Sequence, residues 1–129
     1  MTPLRDVLVV EDDLDLAALV EMIVADAGYA VRTAGDGASA LSCVGERLPG
    51  LVLLDMRMPI MDGWRFASEL RARFGHEVPI VVLTAAENAR ARAAEIDAEG
   101  YLEKPFELDD VIRMVARFLG PAHDPSQWA

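Results

Sequence analysis

The chain has 129 residues, 53% of them hydrophobic and 26% charged, with a formal net charge of -10. That is enough apolar chain to pack one domain, and it excludes a disordered one. The acidic balance argues against a nucleic-acid or anionic-membrane surface, because both select basic patches, and it suits a basic partner or a bound cation.

In chain order, short apolar runs alternate with segments of helical period. Val7–Val10 is an apolar run that ends in Glu11-Asp12-Asp13. Leu16, Leu19, Val20, Ile23 and Ala27 follow at helical spacing, with Gly28 as the stop. Ala30–Ala34 reads as a short, less apolar strand near a sheet edge. Asp36-Gly37 opens a helix with Ala38, Leu41, Val44 and Leu48 inward, and Pro49-Gly50 ends it. Leu51–Leu54 runs straight into Asp55. Gly63–Phe74 is helical, with Phe66, Ala67, Leu70 and Phe74 inward. Ile80–Leu83 is another continuous apolar run, ending in Thr84.

Asn88–Asp97 reads as an alanine-rich helix whose only large apolar anchor is Ile96, so it should bury little and be loosely held. Gly100–Glu103 is a short strand, followed by Lys104-Pro105. Leu108, Val111, Ile112, Val115, Phe118 and Leu119 line a last helix, stopped by Gly120-Pro121.

Five strand-helix repeats with strands apolar on both faces predict an α/β fold: a parallel sheet covered by helices on both sides. Right-handed crossovers then favour the flavodoxin-like doubly wound order 2-1-3-4-5. One domain is expected over residues 1–120, with 121–129 as a flexible tail. No apolar run approaches the roughly 18 residues of a membrane span, and the N-terminal residues carry no apolar leader. The single Cys43 forbids an internal disulfide and reads as a small packing residue. A cytoplasmic protein with no membrane contact is expected.

Asp is a poor strand residue and costly to bury, so Asp55 at the end of an interior run needs a reason. In a parallel sheet Glu11, Asp12, Asp55, Thr84 and Lys104 all fall on one edge, the edge outside the carboxyl ends where open α/β sheets bind ligands. With strands one and three adjacent, Glu11, Asp12 and Asp55 crowd together and repel, and at least one tends to stay protonated. A divalent cation removes that conflict, and oxygen ligands with room for water suit Mg²⁺. The cation, the Lys104 amine and the Thr84 hydroxyl then surround one carboxylate. A phosphoryl group on Asp55 would use all three, and carboxylates do serve as phosphoryl-accepting nucleophiles.

The stretches L-V-V-E-D-D (8–13), L-L-D-M-R-M-P-I-M-D-G (53–63), V-V-L-T-A (81–85) and G-Y-L-E-K-P-F (100–106) together resemble the receiver domain of two-component response regulators, in particular the stand-alone chemotaxis regulators. The resemblance covers residues 5–120. It implies that Asp55 is the phosphoacceptor. Asp12 would be a direct Mg²⁺ ligand, Glu11 would act largely through water, and the backbone carbonyl of Arg57 would complete the metal site. Thr84 and Lys104 would bind the phosphoryl group, Tyr101 would be the aromatic switch partner of Thr84, and the bond before Pro105 would be cis.

The resemblance also implies a phosphohistidine donor on a sensor histidine kinase or phosphotransfer protein. The output would be a protein contact with an unidentified target, with no nucleic acid bound through this domain and a homodimer left open. Apart from catalysing its own phosphorylation and dephosphorylation, such a domain is no enzyme. The chain ends after the last helix with no room for a DNA-binding module. It reads either as a stand-alone regulator or as a receiver cut from a longer protein.

Two departures from the family pattern stand out. Thr84 and Lys104 are only 20 positions apart, closer than is usual in the family, which shortens the region of the fourth helix and bears on the fourth-helix, fifth-strand and fifth-helix face used for output and dimers. Arg57, two positions past Asp55, could lie over the site and alter phosphate lifetime.

Other classes compete. A Mg²⁺-dependent phosphatase with an aspartyl nucleophile usually wants a general acid where Arg57 stands. A receiver-like interaction domain would take no phosphoryl group. A flavin protein would want Gly, Ser or Thr where the first strand meets acids. Individually, Asp13 reads as a helix cap, Arg90 and Arg92 as solvated helix charges, and His76 and His123 as surface residues. Met56, Met58 and Met61 read as packing residues, since thioethers do not suit a carboxylate site. Trp64 reads as partly buried near the site.

Overall fold

The computed structural model describes residues 6–56, 61–85 and 88–120. Its strands are β1 (Asp6–Val10), β2 (Ala30–Ala34), β3 (Leu51–Asp55), β4 (Ile80–Ala85) and β5 (Gly100–Lys104). The helices between and after them are α1 (Leu14–Asp26), α2 (Gly37–Glu46), α3 (Gly63–Phe74), α4 (Ala89–Glu95) and α5 (Leu108–Leu119). All strand pairs are parallel, in the order β2-β1-β3-β4-β5.

The continuous apolar runs explain this architecture, because successive strand residues face opposite sides of the sheet. Leu8, Val10, Val52, Leu54, Ile80 and Val82 point one way, into a core with Leu41 and Val44 of α2 and Phe66 and Leu70 of α3. Val7, Val9, Leu51, Leu53, Val81 and Leu83 point the other way, against Val20 and Ile23 of α1 and Val111 and Val115 of α5. Interior strands are therefore sealed on both faces, while β2, at an edge, leaves Ala30 and Thr33 exposed.

The helix starts are fixed by acidic caps. Asp13 accepts from the Asp15 and Leu16 amides, Asp36 from Ser39 N–H, and Asp62 from Arg65 N–H. Tyr29 is buried, and its hydroxyl donates to the Gly120 carbonyl at 2.7 Å, tying the end of α1 to the end of α5.

Several helix faces are phased differently from the sequence expectation. In α1 it is Ala17 and Val24 that join Val20 and Ile23 inside, while Leu19 is exposed. In α2, Ala40 is buried, and Ala38 and Leu48 are exposed. The fourth helix is shorter than Asn88–Asp97: α4 has seven residues, Ile96 is its C-cap, and Asp97 turns at φ 53°. It is anchored by two small buried residues, Ala89 and Ala93, with Ile96 partly buried against the same core.

Candidate functional site at the carboxyl edge of the sheet

Register brings the polar residues together. Val10 pairs with Leu54, and Asp55 pairs with Leu83. Glu11, Asp55 and Thr84 therefore stand in neighbouring positions along one edge. Ala85 pairs with Lys104, which extends the row to β5. The Glu11 amide donates to the Ala34 carbonyl at 3.0 Å and fixes the exit of β1. Gly63 packs under the exit of β3: its amide donates to the Met56 carbonyl at 3.1 Å, and a Cβ there would lie 2.7 Å from Met56 Cα.

One oxygen each of Glu11, Asp12 and Asp55 lies within 4.8 Å of the others. Glu11, Asp55 and Thr84 are buried, whereas Asp12 is exposed. Lys104 Nζ donates to Glu11 Oε1 at 3.2 Å, so in this state the amine is held by Glu11. Burial pushes the Glu11 carboxyl up to about 8. A hydrogen bond shared with Asp55 and the Asp55 charge act in the same direction, and Lys104 and the Asp13 N–H oppose them without prevailing.

Burial and the neighbouring carboxylate thus favour the neutral form of Glu11 when no metal is bound. An oxygen-only donor set with one exposed member fits a hard divalent cation that retains water. These groups line a cavity of about 430 Å³, open to solvent, whose wall also includes Trp64 of α3, Asn88 ahead of α4 and Arg92 on α4.

The structure therefore gathers Glu11, Asp12, Asp55, Thr84 and Lys104. Arg57 and residues 121–129 lie outside the described residues. Tyr101 is on β5 opposite Val82, 37% exposed and not among the residues that line the cavity. The Lys104–Pro105 peptide bond is cis. Arg92 was the residue that sequence reasoning misplaced: it is not a freely solvated charge but part of the cavity wall. The available signal was its spacing, one helical turn past Asn88 in a helix that opens directly above the β4 terminus.

Residues 7–116 match the response regulator receiver domain family. The chain is 40% identical over 115 residues to the transcriptional regulatory protein PrrA of Mycobacterium tuberculosis, an overlap of 88% of this chain and 49% of PrrA. It is 36% identical over 128 residues to the response regulator MprA of Mycobacterium sp. strain KMS, covering 95% of this chain and 55% of MprA. It spans about half the length of these relatives. Among solved structures, the receiver domain of NtrX from Brucella abortus superposes with a TM-score of 0.81 at 34% identity, covering 88% of this chain and 98% of that one. The chemotaxis protein CheY4 of Vibrio cholerae superposes with a TM-score of 0.80 at 30% identity, covering 90% and 99%.

Proposed function

This chain belongs to the response regulator receiver domain family, and from that premise we propose a phosphorylation-dependent switch in which Asp55 accepts the phosphoryl group. One observation carries the reading: three carboxylate oxygens within 4.8 Å share a cavity with Thr84 and Lys104. A carboxylate oxygen of Asp55 attacks phosphorus in line. The new P–O bond forms as the P–N bond to the donor imidazole breaks, and that electron pair leaves with the imidazole nitrogen. Lys104 and the Thr84 hydroxyl donate to the phosphoryl oxygens and hold the group against β4 and β5. Bound Mg²⁺, held by Asp12, Asp55, the Arg57 carbonyl and, through water, Glu11, would neutralise charge on the transferring group. Water later attacks phosphorus and restores the Asp55 carboxylate.

The donor is a phosphohistidine of a sensor histidine kinase or phosphotransfer protein. Thr84, drawn toward the phosphoryl group, frees space into which Tyr101 turns from its half-exposed position. This biases an existing equilibrium of α4, β5 and α5 toward a target-binding form. The domain, over residues 1–120, works in the cytoplasm. No helix among the described residues is long and apolar enough to cross a membrane.

The test is intact mass after incubation with Mg²⁺ and a small acyl phosphate, beside Asp55→Asn. A gain of one phosphoryl group by the wild type alone is expected. No gain in either protein would leave an interaction domain that works without phosphate.

A further inference from the structure

The helix α4 carries two arginines. Arg90 is exposed to solvent, but Arg92 shares the cavity wall with Asp55 and Lys104. Its guanidinium carbon lies 5.7 Å from the centre of the Trp64 ring. Its Nε is 2.9 Å from Glu95 Oε1, and the same oxygen accepts the Trp64 indole N–H at 3.2 Å. Arg92, Trp64 and Glu95 therefore form a closed triangle that ties α4 to α3 at the mouth of the site. The contact to Glu95 is a charge pair without donor alignment, because the buried Nε has no hydrogen-bond acceptor among the described residues. Among the described residues Arg92 is thus held by attraction and stacking, both worth little at a partly exposed position.

Phosphorylation changes the balance. A phosphoryl group adds about one further negative charge and three strong acceptor oxygens to a cluster already rich in carboxylates. Lys104, the cation at the strand ends, is shared with Glu11. A guanidinium fork matches phosphoryl oxygens better than it matches a single misaligned carboxylate oxygen.

We propose that Arg92 is a phosphoryl-contacting residue: when Asp55 is phosphorylated, its guanidinium leaves Glu95 and the Trp64 ring and binds the phosphoryl oxygens. The exchange would make capture faster and would open the α3–α4 latch, so that one cation serves both chemistry and signalling. This rests on the reading of Asp55 as the phosphoacceptor.

The experiment uses a Trp128→Phe background, so that Trp64 is the one remaining tryptophan of the two. The protein is saturated with Mg²⁺ before the acyl phosphate is added. Intact mass and Trp64 fluorescence are then followed together in the parent, Arg92→Gln and Arg92→Lys. Gln keeps helix propensity close to that of Arg, and circular dichroism checks the fold of each variant. The expected result is a fluorescence step in the parent that tracks the mass gain. Arg92→Gln should phosphorylate about tenfold more slowly, as expected for one lost charge-assisted contact, and show no step; Arg92→Lys should recover part of the rate. Equal rates and an equal step in parent and Arg92→Gln would overturn the Arg92 assignment and leave the phosphoacceptor reading standing. No mass gain in the parent would overturn both.

Discussion

Lys104 Nζ donates to Glu11 Oε1 at 3.2 Å across the ends of β5 and β1, yet this cation does not suffice to keep Glu11 ionised at ordinary acidity. Burial raises the folded-state value from 4.5 to about 8, assisted by Asp55. The folded chain therefore holds a proton that the unfolded chain has lost between those two values. The stability linked to Glu11 is fully present below about pH 4.5 and is lost as pH rises toward 8. Thermal melts of metal-free protein should fall across this range, and Glu11→Gln should flatten the fall. An unchanged slope in Glu11→Gln would assign the effect to another group. Mg²⁺ should restore stability most at the high end, where Glu11 need not surrender a proton.

Gly63 supplies a second prediction. A Cβ at this position would meet Met56 Cα and Sδ, each at 2.7 Å, and the Asp55 carbonyl oxygen at 3.2 Å. Backbone cannot yield as a flexible side chain would. Gly63→Ala should cost about 1–3 kcal/mol by overpacking and should displace the chain leaving β3, slowing phosphorylation of Asp55. Urea unfolding and intact mass measure the two effects. A variant of full stability and full rate would show that the turn can shift freely.

The strand order was legible in the sequence because interior strands of a parallel sheet must be apolar on both faces, and Val7–Val10, Leu51–Leu54 and Ile80–Leu83 are. The gathering of Glu11, Asp12, Asp55 and Thr84 followed from the same runs, since each of these residues lies at or just past the carboxyl end of one, and Lys104 joined them as the end of the short fifth strand. Helix phase was harder to read. Where alanines and leucines occur all round a helix, periodicity does not choose between Leu19 and Val24, and packing against Tyr29 and β1 decides. The α4 wall was harder again. A local pattern shows that Arg92 is charged, but its place in the cavity depends on how a seven-residue helix anchored by Ala89 and Ala93 is set above β4.

At the opposite end of β1, Asp6 is buried and Arg32 Nε reaches its Oδ2 at 2.7 Å. The same guanidinium donates to the Cys43 and Arg47 carbonyls, each at 2.7 Å, so it binds β1 and β2 to the end of α2. Arg47 is a distant second partner at 3.5 Å, and Asp6 Oδ1 has none among the described residues. Arg32→Ala should therefore leave a buried carboxylate poorly compensated and cost about 3 kcal/mol. Asp6→Asn should cost less, because Arg32 is the less buried partner and keeps its two carbonyl acceptors. Equilibrium unfolding in urea orders the two. Equal losses would mean that the Asp6–Arg32 pair itself, common to both variants, accounts for the whole effect.

Glu99, just ahead of β5, joins three elements. Its Oε1 accepts the Ile80 amide at 2.7 Å and Arg71 at 2.9 Å, and its Oε2 lies 3.3 Å from His76 Nδ1. Burial alone would raise its carboxyl, but the Ile80 amide, Arg71 and His76 outweigh burial and hold it below its ordinary value. Here the folded state favours the ionised form. The stability from Glu99 is present above the unfolded value of 4.5 and is lost as pH falls below it, a window separate from that of Glu11. Glu99→Gln should weaken the acid-side loss and cost about 1–3 kcal/mol at neutral pH, because hydrogen bonds to a charged acceptor are exchanged for weaker ones. Melts of the variant between pH 3 and pH 7 should run flatter than those of the parent on the acid side. A variant that kept the full acid-side slope would place that titration elsewhere.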